Sequence, residues 1–318
     1  MYLSFLFIIA SYGLIVYVLR HRSKRAVSIL VVAIILCDLQ TTYWLIREKV
    51  PLGKPGADYF EVLKYGRNLA GYFKKQPGLF RVHMSAELWP NIGDSYGVPL
   101  TECTMPTELQ DFIKFRSTVP HALELLNVHY LVRSNTAAEA DPVYSDDYWK
   151  VYKNPSSPCP RAWIVHEAAV EPSFDRALLR IKNSDFDPLK VAIISGPLDT
   201  ELEPKLEGAQ EEVQFTSYQP NRLELTARAH SRALLVLSES HFPGWQAMVN
   251  GGKARIQKVD GVLRGVVIPS GESKVVFRYV PISVILGAVL TLLAFVGSCA
   301  LCLFVWRSER EEAQHPGR

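Results

Sequence analysis

The chain has 318 residues, a net charge of +3, and 21% charged against 48% hydrophobic residues, averages that would suit an ordinary soluble protein. Its basic residues are scattered rather than gathered on one stretch, which excludes nucleic acid as a partner. The averages conceal the layout, because residues 1–19, 26–37 and 280–306 contain no Asp, Glu, Lys or Arg. A run of about 20 apolar residues crosses a hydrocarbon core of about 30 Å, so three transmembrane helices are predicted, over 1–19, 26–46 and 281–306.

The second predicted span contains Asp38, and a carboxylate at a helix centre costs about 2.5–3.5 kcal/mol on insertion scales. Asp38 lies in the later half, followed by Gln40, Thr41, Thr42, Tyr43 and Trp44, the gradient of a helix leaving the membrane through an aromatic interface. Between the first two spans, the hairpin 20–25 carries Arg20, Arg22, Lys24 and Arg25. Short basic loops stay cytoplasmic. Residues 47–280 are therefore expected outside the cytoplasm and the mixed-charge tail 307–318 inside. Met1 enters the apolar run at once, without the basic start and small-residue cleavage site of a secretory signal. This start reads as the last part of a longer polytopic protein or as an N-out anchor.

The outer region is large enough for one core or two, and residues 47–205 read as mixed α/β. Phe60, Leu63, Ala70 and Phe73 predict a helix over 58–75 that Gln76-Pro77-Gly78 ends. A strand over 79–83 follows, then a Pro/Gly-punctuated loop over 84–105. Helices are predicted over 107–115 and 121–126, a strand over 128–132, and an exposed loop over 135–146. Strands over 149–152 and 162–165 precede a helix over 173–182 and a strand over 190–194. From residue 206 to 280 the pattern is all β, with strands over 212–218, 222–229 and 233–237. The block 241–279 then writes four more strands. Trp245, Ala247 and Val249 alternate, Asn250-Gly251 and Asp260-Gly261 supply tight hairpin turns, Pro269-Ser270-Gly271 supplies another, and Val275, Phe277 and Tyr279 alternate again. The expected fold class is a membrane protein of α+β type, its outer region ending in an antiparallel β-sandwich.

Few residues offer chemistry. Asp38 is a weak candidate for a catalytic acid, since an intramembrane carboxylate is a functional hypothesis by default; the competing reading lets it reach the interface or pair with a neighbouring span. Asp185-Phe186-Asp187 spells an acidic pair but reads more simply as a turn, and Asp146-Asp147 as a solvated loop. The outer histidines lack ligand spacing, so no metal is expected, and no nucleophile elbow or phosphate loop occurs. No cofactor is called for. Trp89, Tyr96, Trp149, Trp163 and Trp245 offer aromatic faces of the kind that stack on sugar rings. Trp245 alternates with core positions, whereas Trp89 and Tyr96 fall in a loop, where binding residues concentrate. Cys103 and Cys159 are the two cysteines of the outer region, and a disulfide between them stays open because spacing does not report the required geometry.

The block 241–279 resembles the C-terminal module of the YfhO family of bacterial membrane proteins. The resemblance rests on Phe242-Pro243-Gly244-Trp245, Gly252-Lys253, the strand 263–267, Pro269-Ser270-Gly271-Glu272 and Phe277-Arg278-Tyr279. Upstream, the stretches 77–82, 125–132, 160–163 and 217–222 fit in order, so the likeness covers Asp38 to the C-terminus. It implies a bacterial inner-membrane location with the large domain extracytoplasmic, and a similarity to GT-C glycosyltransferases that use polyprenyl-phosphate-linked sugars to modify an envelope glycan or polymer. It also implies a catalytic acid in the first outer loop of long polytopic members, to which nothing in this sequence corresponds. Two functions are therefore expected: the outer domain of a lipid-linked-sugar glycosylation protein, or a non-catalytic membrane-anchored binding or scaffold module. A self-sufficient hydrolase has no motif to support it.

Overall fold

In a computed structural model of the chain, the described residues are 36, 40, 59–84, 92–101, 109–137 and 141–314. The chain divides into two compact units, residues 1–62 and 63–318. Of the first unit only Leu36, Gln40 and the start of helix α1 (Tyr59–Phe73) are described, Leu36 and Gln40 being helical. The predicted spans 1–19 and 26–46, the basic hairpin and Asp38 lie outside the described residues, as do Trp89 and Cys103.

The described residues of the second unit form three sheets. The first sheet has the order β1-β2-β4-β3, from β1 (Arg81–Met84), β2 (Val128–Ser134), β3 (Tyr144–Ser145) and β4 (Trp149–Lys153). Helix α1 packs Leu69 and Phe73 with Phe80, Val82 and Val132 in the core of this sheet. The predicted loop 84–105 holds a short helix instead, α2 (Ile92–Tyr96). It fits because a side chain at Gly93 would meet Leu100 Cγ at 2.6 Å, so only glycine lets the helix lie so close.

The second sheet has six strands in the order β5-β10-β14-β13-β7-β6. They are β5 (Ala162–Val165), β6 (Glu167–Val170), β7 (Val191–Ile194), β10 (Ala233–Ser240), β13 (Gln257–Val259) and β14 (Leu263–Ile268). The third has the order β12-β11-β15-β9-β8, from β8 (Glu212–Gln219), β9 (Arg222–Ala229), β11 (Trp245–Val249), β12 (Gly252–Ala254) and β15 (Gly271–Tyr279). The block 241–279 thus holds five strands where four were expected, because the strand after Asn250-Gly251 breaks into β12 and β13, which join different sheets.

Side-chain alternation distributes the core. Along β10, Leu234 and Val236 face one cluster and Ala233, Leu235 and Leu237 another, the period of two that a strand imposes. The first cluster packs the six-stranded sheet against helices α3 (Gln110–Thr118), α4 (Ala122–Leu125) and α5 (Phe174–Ile181). The second cluster takes Leu235, Leu237, Val266 and Ile268 from the six-stranded sheet and Leu225, Ala227, Val275 and Phe277 from the five-stranded one. With both faces covered, the middle sheet reads as an unbroken apolar run at β10, as doubly buried strands do.

Both Asx-Gly turns adopt positive φ, Asn250 at 52° with Gly251 at 82°, and Asp260 at 46° with Gly261 at 78°, the backbone of a type I′ hairpin. Strand β15 then passes through Val280 and Pro281 into α6 (Ile282–Gln314). Within it, Ile282–Ala300 has a mean hydropathy of 2.4 and none of that stretch is buried, long and apolar enough to cross a membrane. The helix continues past Trp306, so most of the predicted tail is helical.

Candidate functional site

Residues of the stretches 77–82, 160–163 and 217–222 converge on one acid, Glu239, near the end of β10. Alternation puts Glu239 on the same side as Leu235 and Leu237, facing the five-stranded sheet, and its side chain is only 16% exposed. Three guanidinium groups surround it. Arg161, just before β5, approaches Glu239 Oε1 at 2.9 Å, and Arg81 of β1 at 3.3 Å. Arg264 of β14 lies 3.9 Å from Oε2. Tyr218 of β8 donates its hydroxyl proton to Glu239 at 2.5 Å and accepts a hydrogen bond from Arg161. Arg81 also donates to the carbonyls of Leu126, at 2.9 Å, and Ser238, at 2.7 Å. One carboxylate therefore ties all three sheets together.

The electrostatics follow from burial. Burial works to raise the Glu239 carboxyl, but Arg81, Arg161 and Arg264 together outweigh it and hold the group below its ordinary value. Burial brings Arg264 and Arg81 each down to about 10, which leaves both charged at neutral pH. A single anion among three cations leaves the cluster positive. It is also incompletely bonded: the buried Nε and Nη1 of Arg161 and Nε of Arg264 have no hydrogen-bond partner. Buried polar groups are nearly always paired, and each exception calls for an explanation.

Arg264 faces into the space between the sheets, on the same side as Val266 and Ile268. Its guanidinium carbon sits 3.8 Å from the centroid of the Trp245 ring and 5.5 Å from that of Phe277, a cation–π stack. Only 2% of Arg264 is exposed. Beyond it opens a cavity of about 450 Å³, lined by His241, Phe242, Trp245, Lys253 and Arg278 among others, with no acidic residue among the described residues of its wall. Burial, followed by the charges of Lys258 and Arg264, lowers the pKa of His241.

A second polar cluster sits beyond the other end of β5. His166 Nε2 lies 2.9 Å from Glu211 Oε1, and His166 Nδ1 lies 2.9 Å from the Glu203 carbonyl and 3.2 Å from Ser231 Oγ. Serine, histidine and glutamate in a row resemble a nucleophilic triad, but the geometry argues against one. Nδ1 faces a carbonyl oxygen and so carries the proton, leaving no lone pair to take one from Ser231. Ser231 already donates to the Pro204 carbonyl at 2.8 Å. The cluster fastens the 201–211 segment to the sheet.

The other sequence-named residues have structural partners. Tyr96 ends α2 and packs against the core of the first sheet rather than standing in a loop. Trp163 is buried and donates its indole N–H to the Pro188 carbonyl at 2.8 Å, and Trp149 donates to the Tyr65 carbonyl at 2.9 Å. Trp245 packs against the inter-sheet core and also lines the cavity. Asp187 accepts from the Leu189 amide and pairs with Lys190, and Asp146 accepts from the Trp149 amide and from Tyr144. Asp146 is thus half-buried and structural, where a solvated loop was expected. Cys159 is buried with a free thiol that burial pushes up to about 12. Among the described residues no group of three or more His, Cys, Asp or Glu is gathered to hold a metal.

Sequence reading missed the Glu239 cluster, although a signal was present. In a strand reading Leu-Arg-Gly-Val-Val-Ile, alternation sets Arg264 on one face with Val266 and Ile268, a charge at an inward position.

The family described as bacterial membrane protein YfhO matches residues 197–291, from ahead of β8 to within α6. No curated protein and no solved structure matches the chain.

Proposed function

We propose, taking residues 197–291 as a portion of a YfhO-family bacterial membrane protein, that this chain is the membrane-anchored extracytoplasmic part of a machine that glycosylates a cell-envelope polymer from a lipid-linked sugar. Its outer domain engages the acceptor, and the catalytic acid belongs to another part of the machine. One observation carries the reading: the family match runs without a break from the five-stranded sheet into an apolar helix whose Ile282–Ala300 stretch is unburied among the described residues. Such a surface is covered by lipid. The uncharged runs 1–19, 26–37 and 280–306 support a multi-span arrangement, the basic hairpin 20–25 supports the outward orientation, and the shared inter-sheet core supports a β-sandwich.

Deletion of the gene tests the role. A changed envelope glycan profile, restored by the full chain, is expected; an unaltered profile overturns the glycosylation reading and leaves the second one, a non-catalytic membrane-anchored binding or scaffold module. The cluster at Glu239, in which no group is placed as a nucleophile, is what favours that second reading. Orientation has its own test. A periplasmic-type phosphatase fused after Lys54 is expected to be active, and an inactive fusion would invert the topology.

A further inference from the structure

The cavity beside Arg264 has the chemistry of an anion site and the position of a membrane-level one. Its charge is one-sided: Lys253 and Arg278 are exposed at its wall, Arg264 forms its buried side, and among the described residues no carboxylate lines it. Arg264 is the informative member. A fully buried guanidinium with an unpartnered Nε, a long 3.4 Å hydrogen bond to the Ser240 carbonyl and a carboxylate no nearer than 3.9 Å is short of partners. A guanidinium is shaped to bind a planar fork of oxygens, and phosphate supplies one. The stack on Trp245 holds Arg264 in place.

The position follows from the junction with α6. Gly244, in the cavity wall, accepts a hydrogen bond from the Val280 amide at 2.7 Å, and a side chain added to Gly244 would meet Pro281 Cα at 3.3 Å. The Pro281 carbonyl accepts the first helical hydrogen bond of α6, from Val284 at 3.1 Å. Phe242 is exposed, and Phe242 and Trp245 both pack on Tyr279, with centroids 6.2 and 5.4 Å away. Aromatic clusters of this kind mark the water interface of a membrane span. The cavity therefore lies where phosphate head groups lie.

We propose that this cavity binds the phosphate head group of an anionic bilayer lipid, Arg264 taking the phosphate and Lys253 and Arg278 closing on it from the rim. Head-group binding at this point seats the outer domain on the membrane surface. The proposal rests on the membrane-anchored part of the function proposed above and is independent of glycosylation.

The test uses the full chain in neutral detergent micelles, titrated with short-chain phosphatidylglycerol, with short-chain phosphatidylcholine and with inorganic phosphate. Saturable binding of phosphatidylglycerol is expected, tighter than either of the others. The Lys253→Ala/Arg278→Ala double variant, altered only at exposed positions, is expected to bind it about tenfold more weakly or worse. Arg264→Lys, which keeps the charge and loses the fork, is expected to weaken it further. Equal binding by the wild type and the double variant overturns the proposal. Inorganic phosphate binding as tightly as the lipid makes this a soluble-anion site and overturns the lipid assignment. Alkaline extraction of membranes, run in parallel, reports separately on anchoring, so a failed anchor and a failed lipid site are told apart.

Discussion

Strand β5 carries a charged cluster at each end, and the two are built on opposite terms. Past its C-terminal end, His166, Glu211 and Ser231 each meet a partner within 3.2 Å, and the loop carbonyls of Glu203 and Pro204 complete the set. Before its N-terminal end, Arg161 joins two further guanidiniums around one carboxylate, and three of their buried nitrogens have no partner. A polar network that is complete only fastens, and one that is left short fastens while keeping bonding capacity for a further group. Resemblance to a catalytic arrangement misleads here: the triad-like cluster is the closed one.

The largest effect is expected at the open end. Glu239→Gln removes the one carboxylate that compensates Arg81, Arg161 and Arg264, and breaking a buried pair in this way costs about 3–5 kcal/mol. Denaturant unfolding of the full chain in detergent reads this, and a loss below about 1 kcal/mol would mean that water already compensates the guanidiniums.

Asp260 offers an intermediate case, since its Oδ1 accepts from the Ile193 amide at 2.8 Å while its buried Oδ2 has no partner. Burial pushes its pKa up to about 7. The native protein then holds a proton that the unfolded chain releases above about pH 4. The contribution of Asp260 to stability is accordingly full below that pH, falls by a few kcal/mol as pH rises to about 7, and is level beyond. Asp260→Asn is expected to flatten the profile; an unchanged slope would assign it to another group.

A smaller effect is expected at the closed end, where Glu211→Gln keeps a hydrogen bond to His166 and costs about 1–2 kcal/mol. Ser231 is expected to resist labelling by a phosphonate serine reagent, and labelling would reinstate the triad. The smallest effect belongs to the rim. Lys253→Ala and Arg278→Ala are expected to move stability by no more than about 0.5 kcal/mol each, so their effect on lipid binding is read without a folding term.

Local grammar was legible in the sequence, and convergence was not. Periodicity found α1 and α5; the structure adds that Ser173 caps α5, its hydroxyl accepting from the Arg176 amide at 3.5 Å. Asx-Gly pairs found both hairpins, because positive φ is a local demand. What neighbours do with those hairpins was hidden. Asn250 stays at the surface and its Oδ1 accepts from the Lys274 amide at 2.8 Å, whereas Asp260 is fully buried beside β7. Strand β6 escaped notice because Glu-Ala-Ala-Val gives little β signal and is held by parallel pairing to β7. The Glu239 cluster draws residues from positions 81, 161, 218, 239 and 264, and no spacing rule links them.

The junction between β15 and α6 leaves no slack in the chain. Arg278 pairs with Arg222 and Gln246 in the sheet, Tyr279 donates to the Asn221 carbonyl at 3.0 Å, and Val280 donates to Gly244 before the Pro281 carbonyl opens the helix. Sheet and helix thus share one hydrogen-bonded joint with no free linker, and the joint that starts α6 also holds Tyr279 against Trp245, on which the Arg264 guanidinium is stacked.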